Sequence, residues 1–163
     1  MEQGMIQIYS GDGHGKSSAA FGRAIKAAGM GKKVVIIQFL KGMEESEFIK
    51  RLEPEIKIFR FEKSYVNFSD LSDEQKNEEV QNIKNGLNFA KKVLNTGECD
   101  LLILDEVLGL IDNKIIEVSD LKNILDAKSY EESVILTGIQ LNDETCVLAD
   151  EVFTIQPIKF KVF

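Results

Sequence analysis

Short apolar runs alternate with segments of helical periodicity along the whole chain. Met5–Tyr9 predicts a first strand, and Ser17–Met30 a helix rich in alanine that can lie close against a sheet and that Gly29 and Gly31 end. Lys33–Leu40 contains Val-Val-Ile-Ile without alternation, which suits a strand covered on both faces. Glu44–Leu52 predicts a short helix that stops before Pro54, and Glu55–Phe61 another strand. Residues 62 to 71 read as a loop carrying Tyr65 and Phe68. Ser72 and Gln75 form a capping-box pattern, and Val80, Ile83, Leu87, Ala90 and Leu94 mark one buried stripe of a long helix that Gly97 stops. Strands follow at Asp100–Asp105, Ser133–Thr137 and Glu151–Ile155, with helices at Leu121–Ala127 and Asn142–Ala149, the latter capped by Asn142. Strands separated by helices imply a mostly parallel central sheet with helices on both faces.

One junction in this pattern carries chemistry. Between the first strand and first helix lies Ser-Gly-Asp-Gly-His-Gly-Lys-Ser-Ser, residues 10 to 18. Glycines Gly11, Gly13 and Gly15 let the backbone curl so that successive N–H groups point at phosphate oxygens. The following helix start favours negative charge, Lys16 can reach terminal phosphates, and the Ser17 hydroxyl can ligate magnesium. The usual spacing places a glycine where Ser10 stands; here it comes one residue later, at Gly11. The expected fold class is therefore α/β, a P-loop NTPase-like three-layer sandwich, with residues 1–163 forming one nucleotide-binding domain.

A second junction agrees with the first. Leu101-Leu102-Ile103-Leu104 is a buried-strand pattern, and Asp105 and Glu106 emerge at its C-terminal end, the edge where open parallel sheets bind ligands. Either carboxylate can hold the magnesium of a bound nucleotide, Glu106 as readily as Asp105. Lys41, in Gln38-Phe39-Leu40-Lys41-Gly42, ends another strand on that edge and can meet phosphate or substrate. Tyr65 and Phe68 can cover a flat ligand, and Gly138 after Thr137 suits close approach of backbone to a ligand.

Composition narrows the possibilities. A net charge of -7 over 163 residues argues against a duplex-binding surface. The start of the chain has no basic segment followed by an apolar one, no run is long enough to span a membrane, and a cytoplasmic protein is expected. Cys99 and Cys146 stand far apart and predict free thiols rather than a zinc site. The single histidine, His14, lies in the glycine loop, which excludes a multi-histidine metal site and a Ser-His-Asp arrangement. The lack of a general base favours a reaction in which the protein positions reactants and binds charge.

These residues resemble the ATP:corrinoid adenosyltransferases of the cob(I)alamin type. The resemblance runs through the glycine loop with Ser17–Gly22, then Gln38–Gly42, Leu104-Asp105-Glu106 and Leu136-Thr137-Gly138. It continues in Leu148-Ala149-Asp150 and Pro157-Ile158-Lys159. It implies attack of a reduced corrinoid cobalt on the 5′-carbon of ATP, with triphosphate as leaving group and magnesium as cofactor. On that resemblance the ATP site comprises Gly11, Asp12, Gly13, His14, Gly15, Lys16, Ser17 and Ser18, with Lys26 approaching the nucleoside. Lys16 and Glu106 would be the catalytic residues, Ser17, Asp105 and Glu106 the metal ligands, and Lys41, Tyr65 and Phe68 the corrinoid contacts. The implied partners are the corrinoid substrate, a reductant protein and a second copy in a homodimer, without nucleic acid or membrane.

Three positions depart from the family pattern. His14 stands where lysine is common, Ile139 where arginine is usual, and no basic, glycine-containing tail follows Pro157-Ile158-Lys159 before Phe163. The rival readings are a P-loop ATPase or kinase, and a non-catalytic ATP- or corrinoid-binding homologue.

Overall fold

The computed structural model describes residues 2–13, 15–40 and 47–159. Six strands form one sheet: β1 (Ile6–Ser10), β2 (Val34–Gln38), β3 (Ile56–Arg60), β4 (Leu101–Asp105), β5 (Ser133–Gly138) and β6 (Glu151–Thr154). Their order is β3-β2-β4-β5-β1-β6, and every pairing is parallel. The helices are α1 (Gly15–Gly29), α2 (Glu47–Lys50), α3 (Asp73–Thr96), α4 (Val107–Asp112), α5 (Val118–Leu125) and α6 (Asp143–Cys146).

The unbroken apolar runs are explained by burial on both sheet faces. Successive side chains point to opposite sides of a strand. Val34, Ile36, Leu101, Ile103 and Ile135 therefore pack with Ala20 and Ala24 of α1 on one face. Val35, Ile37, Leu102, Leu104, Val134 and Leu136 meet the helices of the other face. There Ile83, Leu87, Ala90 and Leu94 supply the stripe of α3, with Leu108 and Leu110 from α4 and Leu121, Ile124 and Leu125 from α5. The alanines of α1 let its backbone sit close to the sheet and so bring its first turn over the ends of the strands.

The long helix begins as its sequence predicts. The Ser72 Oγ accepts from the Gln75 N–H at 3.3 Å, and the Ser72 N–H donates to Gln75 Oε1 at 3.1 Å. Gly97 closes the helix in the left-handed region, φ 66°. Ser72→Ala is expected to cost about 1 kcal/mol, lowering the midpoint of thermal unfolding by roughly 2–4 °C with nucleotide affinity unchanged.

Elements differ from the sequence expectations where apolar runs hide a turn. The four-residue run of β4 leads straight into α4, an unpredicted helix, although Val107-Leu108 and Leu110-Ile111 repeat at helical steps. The helix α5 starts at Val118 rather than Leu121, because the Asp120 carboxylate accepts from the Glu117 N–H at 2.8 Å and organises an earlier turn. The expected helix from Asn142 is shorter, one four-residue turn ending at Cys146, and Phe68–Asp70 forms a 3-10 turn inside the predicted loop. The predicted start of the second helix at Glu44 lies outside the described residues.

Candidate functional site

The C-terminal ends of β1, β4 and β5 meet at one place. Register pairs Ser10 with Gly138 and Tyr9 with Thr137 across β1 and β5, and Leu104 with Leu136 across β4 and β5. The glycine loop leaves β1 here. The Gly11 N–H donates to the Gly138 carbonyl at 3.1 Å, and the Ile155 N–H to the Ser10 carbonyl at 2.8 Å, so the loop is stitched to both neighbouring strands. Gly11 has φ 148°, and a Cβ there would lie 2.0 Å from the Ile155 carbonyl oxygen. The glycine must therefore occupy position 11: Ser10 is still a strand residue, its hydroxyl bonded to the Phe153 carbonyl at 3.1 Å.

Lys16 and Ser17 lie in the first turn of α1 and face the acidic end of β4. The Lys16 ammonium is buried, 3.0 Å from Glu106 Oε1, and donates to the Gly13 carbonyl at 3.3 Å. The Ser17 Oγ donates to Asp105 Oδ1 at 2.9 Å. The same carboxylate oxygen accepts from Thr137 Oγ1 at 2.8 Å. Glu106 is in the left-handed region, φ 62°, as the residue that turns the chain from β4 into α4.

Beside Ser17 a cavity of about 490 Å³ opens between α1, the sheet and α2, lined by Phe21, Ile36, Phe48 and Ile58, with Ser17, Ser18, Gln38 and Asp105 as polar members. The arrangement is an apolar slot with its polar groups placed next to the phosphate loop.

The remaining candidates are more scattered. Asp12 and Ser18 are exposed at the loop and first turn. Lys26 is in the last turn of α1, ten residues beyond Lys16 and so about 15 Å away along the helix axis. The structure does not bring it to the loop. Tyr65 and Phe68 lie on the same sheet edge but follow β3, the outermost strand on that side. Tyr65 is 70% exposed beneath the Arg60 guanidinium, and Phe68 is half-buried with the Lys76 ammonium 5.8 Å from its ring centre. His14 and Lys41 lie outside the described residues.

A further acid sits near the end of β2. The Glu62 Oε1 accepts from the Leu40 N–H at 2.8 Å and so anchors a residue whose φ is 57°. Burial pushes the Glu62 carboxyl above the ordinary carboxylate value; the Leu40 N–H opposes this, and Glu79 adds to it. Cys99 is buried, and burial pushes its thiol up to about 12, so it is inert at neutral pH.

Magnesium would fit the residues present. Among the described residues no three His, Cys, Asp or Glu side chains form a protein-only cage. A hydroxyl and a carboxylate in contact at a phosphate loop are the few protein oxygens such an ion takes when substrate phosphates and water complete its shell.

Sequence reasoning found every residue of this cluster except the role of Thr137, noticed only for the glycine after it. A hydroxyl residue ending a fully buried strand beside an acidic strand end was the available signal.

A fully parallel sheet with a glycine loop, a buried lysine and a hydroxyl–carboxylate contact at its C-terminal edge defines a P-loop nucleotide-binding α/β protein. The sequence model described as ATP:corrinoid adenosyltransferase BtuR/CobO/CobP matches residues 2–162, and the chain belongs to that family. It is 28% identical over 158 residues to a corrinoid adenosyltransferase of Escherichia coli (strain K12), covering 97% of this chain and 79% of that protein. It is 29% identical over 160 residues to the corrinoid adenosyltransferase CobA of Salmonella typhimurium (strain LT2), with the same two coverages. Among solved structures, a KaiC-like protein of Pyrococcus horikoshii OT3 shares the fold with a TM-score of 0.63 at 17% identity, covering 99% of this chain and 76% of that one.

Proposed function

We propose that this chain transfers the 5′-deoxyadenosyl group of ATP to the reduced cobalt of a corrinoid. The observation that carries the reading is the junction at which Lys16 and Ser17 of α1 face Glu106 and Asp105 at the end of β4, in a member of this family. In the reaction the Co(I) electron pair forms a cobalt–carbon bond to C5′. The C5′–O bond breaks, and its electron pair leaves on the triphosphate. Cobalt becomes formally Co(III), and no proton need be moved by the protein.

The protein's contribution is to hold a leaving group. The loop from Gly11 to Ser17 presents backbone N–H groups to the triphosphate, and Lys16 neutralises charge that grows on it as the bond breaks. Lys16 is paired with Glu106, so a phosphate that took the lysine would exchange one anionic partner for another. Ser17 and Asp105, with Glu106 released from the lysine, would hold magnesium, which supplies further neutralisation of the leaving group. The apolar cavity beside Ser17 would receive the non-phosphate part of the reactants, where exclusion of water protects the reduced cobalt. Tyr65 and Phe68 would contact the corrinoid from the outer side of the same edge. Lys26 enters only as a distant contact, His14 and Lys41 as charge partners, and the reading includes one domain over residues 1–163. A reductant protein, a homodimer and a cytoplasmic setting complete it; no helix of the described residues is long and apolar enough to cross a membrane.

The test is to mix the purified chain with ATP, magnesium and chemically reduced cobalamin and follow the visible spectrum. A light-sensitive alkylcobalamin and stoichiometric triphosphate are expected. Phosphate or a phosphorylated acceptor would point to phosphoryl transfer, and ATP binding without a cobalt–carbon bond to a binding module.

A further inference from the structure

Thr137 ends the buried part of β5 and is fully inaccessible to solvent. Its single hydroxyl serves two neighbours in β4 and the turn after it. It donates to Asp105 Oδ1 at 2.8 Å and accepts from the Glu106 N–H at 2.8 Å. The directions are fixed by chemistry, since an ionised carboxylate only accepts and a backbone N–H only donates. The first bond orients the carboxylate that also receives Ser17 Oγ. The second pins the backbone of Glu106 in a left-handed conformation that a glutamate adopts rarely, φ 62°. That conformation accompanies the turn that places the Glu106 carboxylate 3.0 Å from the Lys16 ammonium. One hydroxyl on β5 thus sets the geometry of both acids opposite the phosphate loop.

We propose that Thr137 is a positioning residue for the metal-dependent part of nucleotide binding, acting through Asp105 and Glu106. This rests on the reading that a metal–nucleotide complex occupies the junction. Thr137→Val keeps the shape of the side chain and removes both hydrogen bonds, whereas Thr137→Ser keeps the hydroxyl and removes the methyl group. ATP affinity is measured by calorimetry with magnesium and with a chelator in its place, and the ratio of the two affinities is the readout.

T137V should reduce that ratio about tenfold, the scale of losing one hydrogen bond to a charged group, while chelator-only affinity stays within about threefold. T137S should keep both values within about threefold of wild type. The Glu106 amide, followed by NMR hydrogen exchange, should be protected in wild type and T137S and exchange at least about tenfold faster in T137V. An unchanged ratio in folded T137V, or a T137S variant as impaired as T137V, would overturn the proposal. So would an unprotected Glu106 amide in wild type, a measurement that needs no variant to fold. Failure of the wild type to bind ATP under either condition would overturn the reading of the site itself, and this role with it.

Discussion

Lys16→Ala is expected to weaken ATP binding by about 100-fold, the upper end of what a hydrogen-bonded charge contributes. The same substitution should also lower stability. The Lys16 ammonium lies against Glu106 Oε1 at 3.0 Å, with side-chain exposures of 8% and 15%. Removing the lysine leaves a largely buried carboxylate with its counter-charge gone, a larger penalty than the ion pair's own net contribution. Neutralising that acid as well separates the two effects. The double variant Lys16→Ala with Glu106→Gln should regain most of the lost melting temperature and none of the lost affinity. Thermal unfolding and calorimetric titration of the two single variants and the double variant form a cycle that reads the coupling directly. A double variant as unstable as Lys16→Ala alone would mean that the lysine stabilises the loop through its bond to the Gly13 carbonyl instead.

The second large effect falls on the loop backbone. Gly11→Ala places a methyl group 2.0 Å from the Ile155 carbonyl oxygen, at a φ of 148° that side-chain-bearing residues avoid. Neither partner is the free end of a side chain, so strand β6 or the loop must move. The expected loss is roughly 2–4 kcal/mol, a fall of about 10 °C in melting temperature, with ATP binding lost as well because the N–H groups no longer converge. Gly13→Ala is the matched control. Its added Cβ would stand 3.6 Å from Pro157 Cδ, an ordinary contact, and its melting temperature should stay within about 2 °C of wild type. Equal losses for the two variants would show that the loop, and not its contact with Ile155, is what the methyl disturbs.

The contrast between these glycines marks what a sequence can state. The glycine loop, Lys16 and Ser17 were readable because phosphate chemistry demands those residue types at short spacing. The acids at 105 and 106 were readable because an apolar run that ends in charge has to end at a sheet edge. The central strands β2, β4 and β5 were readable because two-sided burial removes alternation. The helix α4 was not, since Val107-Leu108 resumes the apolar pattern of β4 right after the two acids, and the left-handed Glu106 between them makes the turn. The pairing of Lys16 with Glu106 and the double use of the Thr137 hydroxyl join residues far apart in the chain, and nothing local in the sequence encodes such contacts. Lys26 comes from the family resemblance alone, and helix geometry sets it about 15 Å along α1 from Lys16. The shifted glycine looked like a departure from the usual spacing, and it is explained by Ile155, which the chain reaches only near its other end.

That distance has a consequence for how the molecule comes into being. Gly11, Gly13 and Gly15 are made long before Ile155 and Pro157, against which they rest. A nascent chain that has folded β1, β2 and β4 still lacks the wall that shapes the loop. The capacity to grip a triphosphate should therefore arise late and abruptly, when β6 docks on β1. Nucleotide binding in this protein should then report that β6 has docked on β1.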